Sequence, residues 1–226
     1  GLDFFEYEDE TVDSYEIGIK STLLDDKLRL NATAFRSEFD DYQVFQFLTN
    51  AQGATTLQLT NAAEVTSQGF ELETVLVPTD RLKFTLNTTY LDASYDEFAN
   101  PDPALPDFDD NDLPYAPELK VFAGAQYIQP LGDMGYLAFN VDYSWTDDQF
   151  SDPSNADVDA IDSYDLWNAR IAWTPLSQQW ELAVWGKNLS DEEYNAVNSD
   201  NFLGTPRTVW GPPQLYGVSF AWFLGQ

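Results

Sequence analysis

The sequence contains no cysteine and no histidine among its 226 residues, and each absence removes classes of protein. Without cysteine the chain has no disulfide bonds, zinc ribbons, iron–sulfur clusters or thiol nucleophiles. Without histidine it has no catalytic triad of the Ser-His-Asp type and no histidine-ligated metal. Paired carboxylates of the glycosidase kind arise by chance among 39 acidic residues. The sequence therefore predicts a protein that is not an enzyme.

Basic residues and long apolar runs are also scarce. Ten Lys and Arg stand against 39 Asp and Glu, which gives a net charge of -29. A surface of this sign repels phosphate backbones, so we expect no nucleic-acid partner. No apolar run approaches the roughly 18 residues that a membrane-spanning helix needs. A membrane location stays open, because a closed β-barrel crosses lipid on alternating residues.

The sequence does contain an alternation of apolar and polar residues with period two, which is typical of β-strands with one apolar and one polar face. It is clearest from Leu137 to Trp145, where the odd positions are apolar and the even positions are small or polar. The pattern predicts an all-β, antiparallel fold. Nine strands are predicted, at 12–21, 28–48, 57–76, 82–90, 118–128, 136–145, 164–174, 180–189 and 216–224.

The connections between these strands alternate in length. Tight turns are predicted at 24–26, 78–80, 131–133 and 175–178. Long loops are predicted at 49–56, 96–117, 147–162 and 190–213. Short turns at one end and long loops at the other are typical of an outer-membrane β-barrel. Trp and Tyr near the strand ends favour two girdles at the lipid headgroups, although they also suit the core of a soluble β-protein.

Three of the long loops are strongly acidic, and one of them resembles a cation-binding sequence. Asp107, Asp109, Asn111 and Asp112, followed by Glu118, partly match the oxygen ligands of an EF-hand loop. Asp112 stands where that loop needs glycine, and the flanks are rich in proline. We therefore expect no EF-hand and no resident cofactor, and keep Ca²⁺ binding by this acidic extracellular loop as a hypothesis. The alternative is a solvated acidic loop.

Aromatic residues in the long loops are the candidate ligand-binding residues. They are Tyr115, Tyr194, Phe202 and Trp210. Such rings stack on sugars and other flat neutral ligands, although they also pack one loop against another. The acidic loops disfavour anionic ferric complexes by Coulomb repulsion. We therefore expect a neutral ligand, such as an oligosaccharide or a cobalamin-like molecule.

Five motifs, in order along the chain, resemble a known family. The family's "YExGxKS" strand is similar to residues 14–21, and its "NA…sxGxExE" stretch to 61–73. Residues 113–118 resemble its proline-rich entry into a strand, 187–194 its "kNLxDexY" segment, and 206–222 its closing strand. Together they resemble the C-terminal barrel portion of a TonB-dependent outer-membrane receptor.

This resemblance implies a fold and a function. The family has a 22-strand barrel and an N-terminal plug, so residues 1–226 would form about nine strands, with short periplasmic turns and long extracellular loops, and no plug. The implied function is import of a scarce nutrient across the bacterial outer membrane with TonB-derived energy. The implied partners are outer-membrane lipid and lipopolysaccharide, the remaining strands and plug, the TonB complex through the missing N-terminal region, and an unknown nutrient.

Two departures from the family and two alternative functions stand beside this interpretation. An open sheet of nine strands would leave unpaired backbone groups in lipid, so we expect other strands to complete the barrel and the chain to be a processed product or a fragment. The family usually ends on an aromatic residue, whereas Leu224 is followed here by Gly225 and Gln226. The alternatives are a passive outer-membrane channel or structural barrel protein, and a soluble acidic β-sandwich binding module.

Overall fold

The computed structural model describes residues 9–49, 55–100, 102, 104–200 and 206–224. Two 3₁₀ turns lie at Gly132–Met134 and Asp157–Asp159. The strands are β1 (Thr11–Leu23), β2 (Leu28–Thr49), β3 (Thr55–Thr79), β4 (Leu82–Phe98), β5 (Leu119–Pro130), β6 (Tyr136–Thr146), β7 (Gln149–Phe150), β8 (Ala160–Ile161), β9 (Tyr164–Thr174), β10 (Trp180–Lys187), β11 (Asn195–Asp200), β12 (Pro206–Trp210) and β13 (Leu215–Trp222).

Nine of these strands form one antiparallel sheet, in the order β1-β2-β3-β4-β5-β6-β9-β10-β13. This arrangement confirms the nine predicted strands. Two separate hairpins, β7–β8 and β11–β12, lie within the segments predicted as loops. β7 and β8 have only two residues each, and β11 and β12 do not alternate between apolar and polar residues, which explains why the sequence did not predict them. In the part of the chain that is described, no helix is long and apolar enough to span a membrane.

The sheet has an apolar face and a polar face, because residues opposite one another on neighbouring strands point to the same side. One row of partners on the apolar face crosses all nine strands through Leu23, Leu28, Leu76, Phe84, Ala125, Val141, Ala169, Gly186 and Tyr216. The adjacent row on the polar face passes through Thr22, Arg29, Val75, Thr85, Gly124, Asp142 and Asn168.

The apolar face is not covered by a second layer of described residues. Val141 in the middle of the sheet keeps 40% of its surface exposed, and Ile17 on the edge strand β1 keeps 77%. A β-sandwich buries such a face between two sheets. The soluble sandwich alternative therefore does not fit this structure.

One end of the sheet carries only tight turns, as predicted. Leu24, Asp25 and Asp26 all adopt left-handed φ angles, between 53° and 66°, in the turn from β1 to β2. Gly135, with φ of 94°, lies so close to the next turn that an added Cβ would be 2.0 Å from the Thr174 carbonyl oxygen. Only glycine fits both the angle and the space there. These turns fix the register of the strands that they join.

The opposite end of the sheet, called the rim here, extends beyond the apolar face and has its own core. Strands β2 and β3, next to the edge strand β1, are 22 and 25 residues long and reach into the rim. The rim core consists of the buried residues Val44, Ala63, Val65, Tyr95 and Phe98. The ring centroid of Phe98 lies 5.2 Å from that of Phe108, in the loop after β4. β4 continues to Phe98, and the predicted end at residue 90 was too early, because Tyr95 and Phe98 are held by this core.

Candidate functional site in the rim loops

The loop between β4 and β5 runs beside the end of β4 and takes the place of a strand. β5 begins at Leu119, which pairs with Tyr90, so the last eight residues of β4 have no partner in β5. The Tyr95 amide donates to the Asn111 carbonyl at 2.9 Å, and the Leu113 amide donates to the Ala93 carbonyl at 2.9 Å. The loop thereby satisfies backbone groups that would otherwise be unpaired.

This loop is joined to the loop between β6 and β9 by side-chain amides. Asn111 donates from Nδ2 to the Pro153 carbonyl at 2.8 Å. The Asn155 side chain accepts from the Asp112 backbone N–H through Oδ1 at 2.7 Å and donates from Nδ2 to the Asp112 carbonyl at 3.0 Å. Asn155 has a φ of 49°, a conformation that asparagine tolerates better than most residues. Two loops that are far apart in sequence thus form one hydrogen-bonded unit.

The loop between β10 and β13 joins the same unit through Asn198. Its Nδ2 donates to the Ala160 carbonyl, and its own carbonyl accepts from the Ser151 hydroxyl. The Asn198 Oδ1 accepts from the Thr208 hydroxyl at 2.9 Å, which ties β11 to β12. We call the described residues of 99–118, 147–163 and 188–214 the loop assembly.

Asn188 holds the start of the third loop. It is 4% exposed and has a φ of 50°. Its Oδ1 accepts from the Glu192 amide at 2.8 Å, while its Nδ2 donates to the Glu192 carbonyl at 2.8 Å and to the Pro212 carbonyl at 3.2 Å. The sequence pattern pointed to residues 187–194 but not to this role, which depends on Pro212 coming close in the fold.

Tyr194, a predicted ligand-binding residue, packs inside the loop assembly. Its ring stacks on Tyr164 with centroids 4.2 Å apart and planes at 19°. A Cβ added to Gly211 would lie 2.1 Å from Tyr194 Cζ, so the ring lies directly over this glycine. Burial, followed by the neighbouring Tyr164, raises the pKa of the Tyr194 hydroxyl. These contacts favour the alternative that this ring packs loop against loop.

The other predicted aromatic residues differ from Tyr194. Tyr115 is 48% exposed and Trp210 is 63% exposed, so both rings are open to solvent. Tyr115 adopts a φ of 58° and donates its amide to the Phe150 carbonyl at 2.8 Å. Burial, followed by Asp159 and Asp152, raises the pKa of its hydroxyl. Phe202 lies outside the described residues. Ligand binding by Tyr115 and Trp210 stays a prediction.

The four predicted calcium ligands do not converge on one point. The Asp107 carboxylate accepts from the backbone N–H of Asn100 at 2.9 Å, and the Asp109 carboxylate accepts from the backbone N–H of Phe98 at 2.7 Å. Asn111 donates to the Pro153 carbonyl, and Asp112 lines a cavity that none of the other three predicted ligands lines. Among the described residues, no three acidic side chains form a group that could hold a metal ion. Calcium binding stays a prediction that this geometry does not favour.

The sequence did not reveal an acidic cavity of about 350 Å³ between the first two loops of the assembly. Its carboxylates are Asp92, Asp112, Glu118, Asp147 and Asp148. Burial, followed by Asp92, Glu118 and Asp148, raises the pKa of Asp112. The acidic residues were visible in the sequence, but their convergence depends on how the two loops join.

The polar face below the rim carries hydrogen-bonded pairs between neighbouring strands. Arg170 and Glu181 form an ion pair between β9 and β10. Asn31 donates to Glu73 at 3.0 Å, and Gln126 donates to Asn140 at 2.9 Å. A polar face on one side of the sheet and an exposed apolar face on the other are typical of a membrane β-barrel.

Comparison with known proteins decides the family. Residues 5–189 match the family model described as TonB dependent receptor-like, beta-barrel, which is more than half of the chain. The chain belongs to this family. Its members are outer-membrane β-barrel proteins, so the chain is assigned to the outer membrane, with its apolar face toward lipid and its polar face toward the barrel interior. They act in transport rather than as enzymes.

Solved structures share the fold at low sequence identity. The ferric yersiniabactin uptake receptor FyuA from Yersinia pestis is 18% identical, with a TM-score of 0.75 over 93% of this chain and 29% of that one. The siderophore receptor PiuA from Acinetobacter baumannii is 21% identical, with a TM-score of 0.69 over 92% and 28%. The copper transporter OprC is 18% identical, with a TM-score of 0.71 over 93% and 32%. The chain thus spans about three tenths of these relatives.

Proposed function

We propose that this chain forms barrel wall and ligand-binding loops of a receptor that imports a scarce nutrient with TonB-derived energy. The observation that carries the proposal is the pairing of an uncovered apolar row across nine strands with an interlocked loop assembly at one end. The first feature suits lipid, including the lipopolysaccharide of the outer leaflet. The second suits selective binding of a ligand at the cell surface. No catalytic role and no nucleic-acid partner are proposed.

The free edges of the sheet support a barrel completed by further strands. Among the described residues, β1 pairs with β2 and β13 pairs with β10, and the two edge strands do not pair with each other. Val218 on β13 is 70% exposed. Unpaired backbone groups are not tolerated in lipid. The missing strands, together with the plug and its TonB-binding segment, are therefore proposed to come from the rest of the receptor.

The acidity of the rim and its exposed aromatic rings support a neutral ligand over an anionic one. Five carboxylates line the cavity between the first two loops, and Tyr115 and Trp210 offer exposed rings in the same loop assembly. Carboxylates repel an anionic complex within a distance of about 8 Å at physiological salt. A neutral ring stacked on an aromatic side chain avoids this repulsion.

The test is uptake by the complete receptor in cells with and without TonB. Labelled cobalamin and a labelled oligosaccharide are the neutral probes, and ferric citrate is the anionic one. We expect uptake of a neutral probe that stops without TonB. Equal uptake with and without TonB would instead indicate a passive channel, and uptake of ferric citrate alone would overturn the ligand class.

A matched pair of variants tests where the ligand binds. Trp210 and Trp222 are both exposed, at 63% and 57%, but Trp210 lies in the loop assembly and Trp222 on the apolar face. Trp210→Ala is expected to weaken probe binding about tenfold, the size of one lost stacking contact. Trp222→Ala is expected to leave it unchanged. Equal effects would contradict binding at the rim.

A further inference from the structure

Two side chains on the polar face connect the barrel wall to the loop assembly. Asp142 on β6 and Asn168 on β9 are direct partners across the sheet. The Asn168 Nδ2 donates to the Asp142 Oδ2 at 2.6 Å, which is a short, charge-assisted hydrogen bond. Both side chains are half-buried.

Asn168 also contacts the rim loop with the other end of its amide. Its Oδ1 accepts from the Asn188 backbone N–H at 3.0 Å. A carboxylate only accepts hydrogen bonds, so Asp142 requires the NH₂ group of Asn168 to face it. The oxygen of the same rigid amide must then face Asn188. Asp142 therefore sets the orientation in which Asn168 can bind Asn188.

Asn188 passes this constraint to the loop that follows it. Its side chain holds Glu192 and Pro212, at the two ends of the segment between β10 and β13. Gln214 adds a bond from Nε2 to the Leu189 carbonyl at 2.9 Å. The bonds thus continue without interruption from Asp142, through Asn168 and Asn188, to both ends of the third rim loop.

Asp142 is open to the barrel interior. It lines a cavity of about 180 Å³ on the polar face, together with Lys83, Gln126 and Asn140, over Gly124. We call this chain of hydrogen bonds the relay. It begins at Asp142, which the contents of the barrel can reach, and it ends in the third rim loop, which faces the medium.

We infer that Asp142 and Asn168 are positioning residues that hold the third rim loop in its ligand-binding arrangement from inside the barrel. The loop's binding role rests on the proposed function, but the relay itself does not. Its test measures loop order without ligand, so a failed relay and a failed transport assignment give different results.

The experiment is hydrogen exchange of the complete receptor purified from the outer membrane, read at the backbone amides of residues 189–200 and 206–214. Asn168→Ala removes both hydrogen bonds and is expected to speed this exchange about tenfold. Asn168→Asp keeps the acceptor for Asn188 but loses the donor and places two carboxylates together. A similar increase is expected from this nearly isosteric variant, whose shape fits the native wall.

Two further variants separate a relay from general loosening of the barrel. Gln126→Ala removes a bond of the same kind on the same face, to Asn140 at 2.9 Å, with no link to the loop. It is expected to leave exchange in residues 189–200 and 206–214 unchanged. Because Asp142 acts through Asn168, the double variant Asp142→Ala/Asn168→Ala is expected to show the same loop exchange rate as Asn168→Ala alone.

Three results would overturn the inference. They are loop exchange within about twofold of wild type in both Asn168 variants, an equal rise in Gln126→Ala, and fully additive effects of the Asp142 and Asn168 changes. Heat-modifiable migration in gel electrophoresis, which reports a folded barrel, accompanies each variant.

Discussion

The apolar face and the rim are stabilised in opposite ways. On the apolar face large side chains stay uncovered, with Phe84 at 41% exposure, and lipid supplies their environment. At the rim Phe98, on the same strand, is 1% exposed and packs within the protein. The membrane part therefore depends on its surroundings, whereas the rim carries a core and hydrogen-bonded loops of its own.

This difference also predicts which positions should tolerate substitution. A lipid-facing position requires an apolar side chain but no particular partner. A rim position such as Asn188 or Gly211 requires one residue, because several neighbours contact it at once. Binding loops built in this way are held in place before a ligand arrives, which reduces the entropic cost of binding.

Removing the same ring from the two regions is expected to give the largest difference. Phe98→Ala leaves a cavity in the rim core and should cost about 3–5 kcal/mol of local stability. Phe84→Ala should cost less, because lipid fills the space. Hydrogen exchange of the β2–β4 amides near the rim in the complete receptor measures the first effect. Equal costs at both positions would show that the rim core is not protein-packed.

A lysine at neighbouring positions of β6 is expected to separate the two faces. Val141→Lys places a charge in lipid and should destabilise the barrel by about 2–4 kcal/mol. Asn140→Lys places the same charge on the polar face and should cost far less. Urea-dependent folding of the complete receptor into lipid vesicles compares them. Similar losses would contradict the assignment of the faces.

Filling the contact beneath Tyr194 tests the packing of the loop assembly. Gly211→Ala places a methyl group against the ring and should cost about 1–3 kcal/mol. In a Tyr194→Ala background the same change should be nearly neutral, since the clash is gone. Thermal unfolding of the wild type, the two single variants and the double variant measures the coupling energy between Gly211 and Tyr194. A coupling energy of zero would show that the Tyr194 ring does not pack on Gly211.

Neutralising one carboxylate of the acidic cavity should give the smallest effect, with a defined pH dependence. The pKa of Asp112 is raised in the folded protein, so the ionised carboxylate destabilises the fold at pH values above that pKa. This destabilisation is lost as the pH falls through the raised pKa to below the ordinary value of about 3.9. Asp112→Asn should therefore stabilise the rim near neutral pH and give no gain in acid. Thermal unfolding at both pH values measures this gain.

Asp110→Asn is the control for this experiment, because Asp110 belongs to the same loop but does not line the cavity. It should show no comparable gain at neutral pH. A stabilisation by Asp112→Asn that persists undiminished in acid would exclude the carboxylate repulsion as its cause.

The sequence was sufficient to predict the sheet but not the rim. Lipid on one side and water on the other impose period two on each strand, so Leu137 to Trp145 reveals its strand without knowledge of its neighbours. Phe98 gives no such signal, because its partners Val44 and Val65 come from other strands. Tyr194 was predicted to bind a ligand, and only the fold shows it stacked on Tyr164.

The most direct test of the lipid-facing assignment is a spin-label scan of residues 137–145. The 226 residues contain no cysteine, so each introduced cysteine is the only one in this part of the receptor. In the complete receptor in lipid, labels at odd positions are expected to be reached by oxygen and labels at even positions by a water-soluble relaxant. Loss of this alternation, with odd positions shielded from both reagents, would show that protein rather than lipid covers the apolar face.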